Sequence, residues 1–290
     1  MLTLENEHLI ATVAPKGAEV QRLFGKHTGL EYLWGGRADA WPRHSPLLFP
    51  FIGSLTQGKY LLDGKTWSMG SHGFCRDAEF KVAESGPTSA RLVYTDSEAT
   101  RSQYPFAFVL EVGYELVGDG LKTTWTVTNL SATPMPFSIG AHPGFSTKML
   151  PADQFSDYSL QFSRPESLQA LEWNEPTLLL KRSVKDYGVS DRLELKHELF
   201  DAVALVFEGI QSPVTLKSRV HGHGVRYEFP GFPWMTVWSP KGKQADFVCL
   251  EPWFGIPDYE DGPFEAKAKR GVRWLEPRDQ FKAEQRWHVF

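Results

Sequence analysis

Residues 106–129 run Phe106-Ala107-Phe108-Val109-Leu110-Glu111-Val112-Gly113-Tyr114-Glu115-Leu116-Val117-Gly118-Asp119-Gly120-Leu121-Lys122-Thr123-Thr124-Trp125-Thr126-Val127-Thr128-Asn129. In the second half Leu121, Thr123, Trp125 and Val127 fall on one side of an extended chain, and Lys122, Thr124, Thr126 and Thr128 on the other. Side chains of a strand alternate with period 2, so this difference between faces predicts a strand buried on one surface. The apolar run 106–116 ends at Gly118-Asp119-Gly120, residues that accept the positive φ of a tight turn. An antiparallel hairpin is the expected outcome.

The same pattern continues in both directions. Short alternating or apolar runs at 9–13, 58–62 (before the turn Asp63-Gly64), 90–95, 158–162, 202–207, 214–220, 225–229, 235–238 and 247–250 are separated by Gly, Pro, Asn and Asp. Such runs bounded by turn residues predict strands. Helical periodicity is sparse, and residues 262–270 give only a weak helical pattern. No Ser/Gly linker, low-complexity block or fixed-period repeat divides the chain. The expectation is an all-β fold of antiparallel sheets with few short helices, forming one domain over residues 1–290, with two large sheets packed face to face.

Composition narrows the function. The 290 residues are 41% hydrophobic and 23% charged, with a formal net charge of −4. Such a chain can bury a substantial core, and it lacks the basic excess of a nucleic-acid binder. Residues 1–10 contain Glu5 and Glu7 and do not build a secretory signal, and no apolar stretch reaches membrane-spanning length. With two cysteines far apart, Cys75 and Cys249, the expectation is a cytoplasmic protein with two buried free thiols and no membrane partner.

Three segments combine an ionisable residue with glycine or proline and an aromatic ring at apparent strand ends. They are Ser71-His72-Gly73-Phe74-Cys75-Arg76-Asp77, Gly140-Ala141-His142-Pro143-Gly144-Phe145 and Cys249-Leu250-Glu251-Pro252-Trp253-Phe254-Gly255. A carboxylate directly after the apolar run 247–250 must reach solvent or be held by partners. Taken singly, a histidine at a strand end is a common structural residue, and Arg76 beside Asp77 is by default a surface pair.

In this order the three segments resemble the HGF-x-RD, GAHP-x-F and EPW motifs of the divergent bacterial branch of the aldose 1-epimerase (mutarotase) family. The likeness extends to Phe49-Pro50-Phe51-Ile52-Gly53, Lys59-Tyr60, Tyr104-Pro105-Phe106, Phe200-Asp201-Ala202 and Trp238-Ser239-Pro240. It implies a single galactose mutarotase-like β-supersandwich with a sugar cleft, no metal and no organic cofactor. By motif, His142 resembles the general acid, Glu251 the general base, and His72 a second site histidine near the ring oxygen. Asp201 resembles an acceptor for a sugar hydroxyl, Arg76 and Arg43 become candidate sugar or phosphate contacts, and Trp238 and Trp253 candidate stacking surfaces. One departure stands out. Many relatives carry an arginine after the FP-x-x-G segment, where this chain has Ser54.

The chemistry suits those residue types. Opening a pyranose removes a proton from the C1 hydroxyl and delivers one to the ring oxygen; rotation about C1–C2 and reclosure give the other anomer. An acid and a base suffice. His142 and Glu251 are expected to face each other across one cleft with room for a pyranose between them, and His72 to lie on the His142 side. Two alternatives remain open: a hexose-6-phosphate 1-epimerase, which needs cations at C6, and a noncatalytic sugar-binding module, which needs no acid–base pair. A glycosidase on a related sandwich would want a second catalytic carboxylate. His221-Gly222-His223-Gly224 reads as a hairpin turn rather than a metal clip, and Gly35-Gly36-Arg37 as a turn. Trp34, Trp41, Trp67 and Trp234 are assigned to the core.

Overall fold

A computed structural model of the protein describes residues 1–290. Strands Phe108–Val117 and Gly120–Asn129 pair antiparallel, with Val117 opposite Gly120. Gly118 takes φ +57° at the turn. Leu121, Thr123, Trp125 and Val127 are buried, while the alternate residues are part-exposed. Asp63 and Gly64 both adopt positive φ and join Lys59–Leu62 to Lys65–Ser68. Both hairpins follow from turn chemistry and alternation.

Most strands belong to one fifteen-stranded sheet rather than to two separate ones. Its hydrogen-bonded path starts at Leu47–Leu48 and passes through Ile139–Ala141, Phe247–Phe254, Trp234–Trp238, Leu205–Glu208 and Tyr158–Asn174. It then continues through Val214–Ser218, Gly224–Glu228, Gln280–Val289, Gly120–Asn129, Phe108–Val117 and Ser89–Thr95 to Lys81–Ser85. A twisted sheet of this many strands cannot stay flat and buries its apolar face by doubling back. The rings confirm it: Phe49, beside the first strand, lies 5.3 Å from Phe108 near the far end, and Phe145 lies 5.3 Å from Trp287. The two-layer expectation therefore holds for the packing and not for the hydrogen bonding. A four-stranded sheet comprises Leu2–Glu5, Leu9–Ala14, Glu19–Gly25 and Leu30–Glu31. One core cluster takes buried residues from Leu4 through Val289.

Helix is confined to Glu98–Arg101 and short 3₁₀ turns. Within 262–270 only Ala266–Ala268 is helical. There Gly262 holds positive φ, and the buried Lys269 ammonium is tied to Asp258 and reaches the Pro263 carbonyl. Tertiary contacts thus override the weak helical pattern. The His221-Gly222-His223 segment is the turn between Val214–Ser218 and Gly224–Glu228, with His221 Nε2 3.0 Å from Asp153 Oδ2. Cys75 and Cys249 are free and buried.

Strand Phe247–Phe254 organises the site. All eight residues are buried, because this strand lies inside the sheet with both faces covered. Val248, Leu250 and Phe254 point into the main core. By the period-2 rule Cys249, Glu251 and Trp253 share the opposite face. Their neighbours across the ladder on Trp234–Trp238 are Trp238, Thr236 and Trp234 respectively.

Candidate active site

A cavity of about 390 Å³ opens over this second face, a size typical of small-molecule clefts. Its lining includes His72, Arg76, His142, Trp238, Glu251 and Trp253. Six of the eight residues proposed from sequence therefore meet around one space.

Local backbone explains how His142 arrives there. The short strands Ile139–Ala141 and Gly144–Ser146 both pair with Phe247–Phe254, one near Trp253 and the other near Cys249. His142 and Pro143 bridge the gap between them, and the Leu250 N–H donates to the Pro143 carbonyl. That places the imidazole beside Glu251. At Gly140 a Cβ would collide with the Trp253 ring, so only glycine lets Trp253 pack there.

His72 is held differently. It has φ +63°, its N–H donates to the Gly53 carbonyl at 2.9 Å, and its Nδ1 accepts from the Gly53 N–H at 3.1 Å. An Nδ1 that accepts fixes the neutral tautomer with the proton on Nε2. Burial, followed by the charges of Arg76 and Arg43, lowers the His72 pKa to about 3. The ring is therefore a neutral N–H donor. It stands 5.7 Å from the His142 ring, centroid to centroid, on the side expected.

His142 Nε2 and Glu251 Oε2 are 3.2 Å apart. The expected ring-sized gap between them is absent. The sheet register is the reason: Gly144 pairs with Cys249 and the Leu250 N–H donates to the Pro143 carbonyl, which sets His142 directly against Glu251. Burial pushes Glu251 well above the ordinary carboxylate range. It pushes His142 well below the imidazole range, helped by the nearby Arg76 and Arg43 charges. Both directions favour the uncharged pair, a carboxylic acid against a neutral imidazole. Trp41 stacks on the His142 ring at 4.9 Å, and Trp238 meets it edge-on at 5.5 Å.

Two candidates lie elsewhere. Asp201 is exposed at the end of the 3₁₀ turn His197–Phe200 and does not line the cavity, although its near neighbours Val203 and Ala204 do. Arg43 is likewise outside the lining; its hydrogen bonds to the Asp77 carboxylate, at 3.0 and 3.3 Å, tie it to a partner that is also outside the lining. Sequence reasoning missed Trp41, Ser71, Trp173, Thr236, Leu178 and Val203, all lining residues. Leu178 and Val203 have positive φ, as does His72. A β-branched residue in that region is a genuine outlier, and such strain gathers at functional sites.

The ligand-type atoms of His142, Cys249 and Glu251 lie within 4.8 Å of one another. Burial keeps the Cys249 thiol protonated, well above its ordinary value. A divalent ion bound there would occupy the lone pairs of His142 and Glu251 that face each other.

The aldose 1-epimerase family profile matches residues 1–264, and the chain belongs to that family. The chromosomal LacX protein of Lactococcus lactis subsp. lactis is 33% identical over 264 residues, spanning 88% of this chain and 88% of that protein. A galactose mutarotase related enzyme from Lactobacillus acidophilus superposes with a TM-score of 0.95 at 30% identity, over 99% of this chain and 96% of the other. A galactose mutarotase-like protein from Lactobacillus casei ATCC 334 superposes with a TM-score of 0.94 at 32% identity, over the full length of both chains. The fold is the galactose mutarotase-like β-sandwich. No helix is long and apolar enough to cross a membrane.

Proposed function

We propose that this protein interconverts the α and β anomers of an unphosphorylated aldohexose, using His142 and Glu251 as a coupled acid–base pair, with no cofactor. The observation that carries the reading is their buried 3.2 Å contact at the base of an aromatic-walled cleft. The pair shares one movable proton. With that proton on His142, the imidazolium gives it to the ring oxygen as the C1–O bond breaks, and the Glu251 carboxylate takes the proton of the C1 hydroxyl. Free aldehyde results, and reclosure on its other face returns both protons. Burial favours the uncharged pair in the free site, so this assignment of roles requires the proton to pass from Glu251 to His142 before the ring opens. The Nε2–H of His72 is available to hold the ring oxygen, and Trp238 and Trp253 offer flat faces to sugar C–H groups.

A neutral aldose is favoured over a phosphosugar because Arg43 is committed to Asp77, which leaves Arg76 as the single guanidinium in the lining. Polarimetry on freshly dissolved α-glucose and α-galactose, with glucose-6-phosphate alongside, tests the reading. Rapid approach to anomeric equilibrium with the neutral sugars is expected. No acceleration over buffer with any of the three would reject the reaction, and a selective response to glucose-6-phosphate would reject the substrate.

A further inference from the structure

Two buried charges take no part in the proton transfers described above. Asp258 and Lys269 are both buried, their side chains are bonded directly to each other, and neither lines the reaction cavity. Taking both charges out of water is costly, and an apolar pair of similar volume often serves stability as well or better. Stability is thus a poor reason for keeping an ion pair here. The hydrogen bonds that fan out from it are a better one.

Those bonds lead to the walls of the site. The two carboxylate oxygens divide the work: Oδ1 meets the Lys269 ammonium, and Oδ2 accepts from the Thr56 N–H at 2.9 Å. The Asp258 N–H donates to the Ser54 carbonyl at 3.0 Å, and its carbonyl accepts from the Leu180 N–H at 2.8 Å. Pro257, the residue before it, fills the space where a Cβ would stand at Gly53. Gly53 in turn holds His72 through both its N–H and its carbonyl, and Gly53, Ser54 and His72 all line the cavity. On its other side Asp258 follows shortly after strand Phe247–Phe254, which carries Glu251. One buried carboxylate therefore joins the turn that holds His72 to the strand that holds Glu251.

Resting on the anomerase reading above, we propose that Asp258 and Lys269 are positioning residues for the reaction. Lys269 keeps the Asp258 carboxylate ionised and oriented, since a buried carboxylate without a counter-charge takes up a proton or turns towards water. Asp258 pins residues 54–56 through a charge-assisted bond to the Thr56 N–H, stronger than a neutral one. Gly53, wedged by Pro257, then sets where the His72 ring stands relative to His142 and Glu251. Neither member of the pair touches the reacting atoms. Their effect is on distance, and a shift of about 1 Å in a cleft wall can cost about 10²-fold in rate.

Two uncharged double variants separate positioning from packing. Asp258→Asn with Lys269→Met keeps a carbonyl oxygen for the Thr56 N–H; Asp258→Leu with Lys269→Met does not. Both are expected to keep the parent's circular dichroism. In polarimetry on glucose and galactose, kcat/KM should fall at least tenfold in the Leu variant and stay within about threefold of the parent in the Asn variant. ¹⁵N NMR of the histidine rings at pH 7, with His72 assigned by its missing signal in His72→Asn, reads the wall directly and without sugar. The parent and the Asn variant should show the Nε2–H tautomer, and the Leu variant a mixture of tautomers. Where Leu proves too bulky to fold, Asp258→Ala with Lys269→Met removes the same acceptor, and the same two readouts apply. Equal losses of activity in the two double variants with an unchanged His72 signal would reduce the pair to a packing element and overturn the proposal, as would parental activity without the acceptor. If the parent accelerates mutarotation of neither sugar while the Leu variant still loses the His72 tautomer, the anomerase reading is rejected and the pair's hold on this wall is kept.

Discussion

Strand Phe247–Phe254 and strand Leu179–Glu194 are opposites in one sheet. The first is buried along its whole length and hydrogen-bonded on both sides. The second is exposed over most of its length and pairs only with Tyr158–Asn174, through several register shifts. The buried strand carries Glu251 and Trp253; the exposed one begins beside Leu178, at the mouth of the cleft. Proton transfer needs two groups held to within a fraction of an ångström, which a strand packed on both faces provides. A cleft that must admit sugar is closed by a less constrained edge.

If the interior strand does the chemistry, its substitutions should be the most damaging. Glu251→Gln and His142→Asn are each expected to lower kcat by about 10²–10⁴ while sugar binding and fold persist. Substitutions of Leu178 should act on KM instead. Stopped-flow polarimetry measures both parameters. Near-normal turnover in Glu251→Gln would break the distinction between the two regions.

Acid sensitivity sharpens it from the stability side. The His72 pKa is about 3 in the folded protein, against roughly 6.5 in an unfolded chain. Between these values the unfolded state binds a proton that the native state does not. Stability is thus fully present above about pH 6.5 and is lost as pH falls towards 3. For a part-buried ring the loss is on the order of 3 kcal/mol. His72→Asn removes the titration, keeps an acceptor for the Gly53 N–H, and suits positive φ. Urea unfolding at pH 7 and pH 4.5 should show a smaller difference for this variant than for the parent. An unchanged difference would mean that His72 is not the buried neutral group.

Metal dependence bears on the same strand. Chelators should leave mutarotation unchanged, because the two proton transfers need only the pair, whereas added Zn²⁺ should reduce it severalfold by engaging His142, Cys249 and Glu251. Activity lost on chelation and restored by one divalent ion would give this trio a different role. Among the cations, Arg76→Ala should raise KM by about tenfold, in line with one lost charged hydrogen bond. Arg43→Ala should do less, since Arg43 acts through Asp77.

Legibility in sequence followed the same division. Glu251 stood out because a carboxylate interrupts an apolar run, and burial on both faces leaves such a run unmistakable. The hairpin Gly118-Asp119 was readable from turn chemistry. Residues 179–194 were not assigned, because a strand exposed on both faces has no buried side to impose alternation. Trp41 was assigned to the core rather than to the site, since an irregular segment delivers it to His142 and no periodicity encodes that. The 3.2 Å contact between His142 and Glu251 joins residues more than a hundred positions apart, a relation that only the sheet register creates.

The smallest expected effect is at Asp201, and it decides between motif and geometry. The resemblance assigns this carboxylate to a sugar hydroxyl, a role whose loss would raise KM by tenfold or more. Here the side chain is exposed and lies outside the cleft lining, and the chain turns so that Val203 and Ala204 line it instead. With no desolvated partner left behind, Asp201→Asn should change KM and kcat by less than about twofold, the usual outcome for a solvated surface group. Val203→Gly, which relieves the positive φ and removes an apolar contact, should move KM more than Asp201→Asn does. A tenfold rise in KM for Asp201→Asn, with Val203→Gly near neutral, would mean that this turn reorganises around bound sugar and carries the carboxylate inward, which would transfer the recognition role from the hairpin to the turn after Phe200.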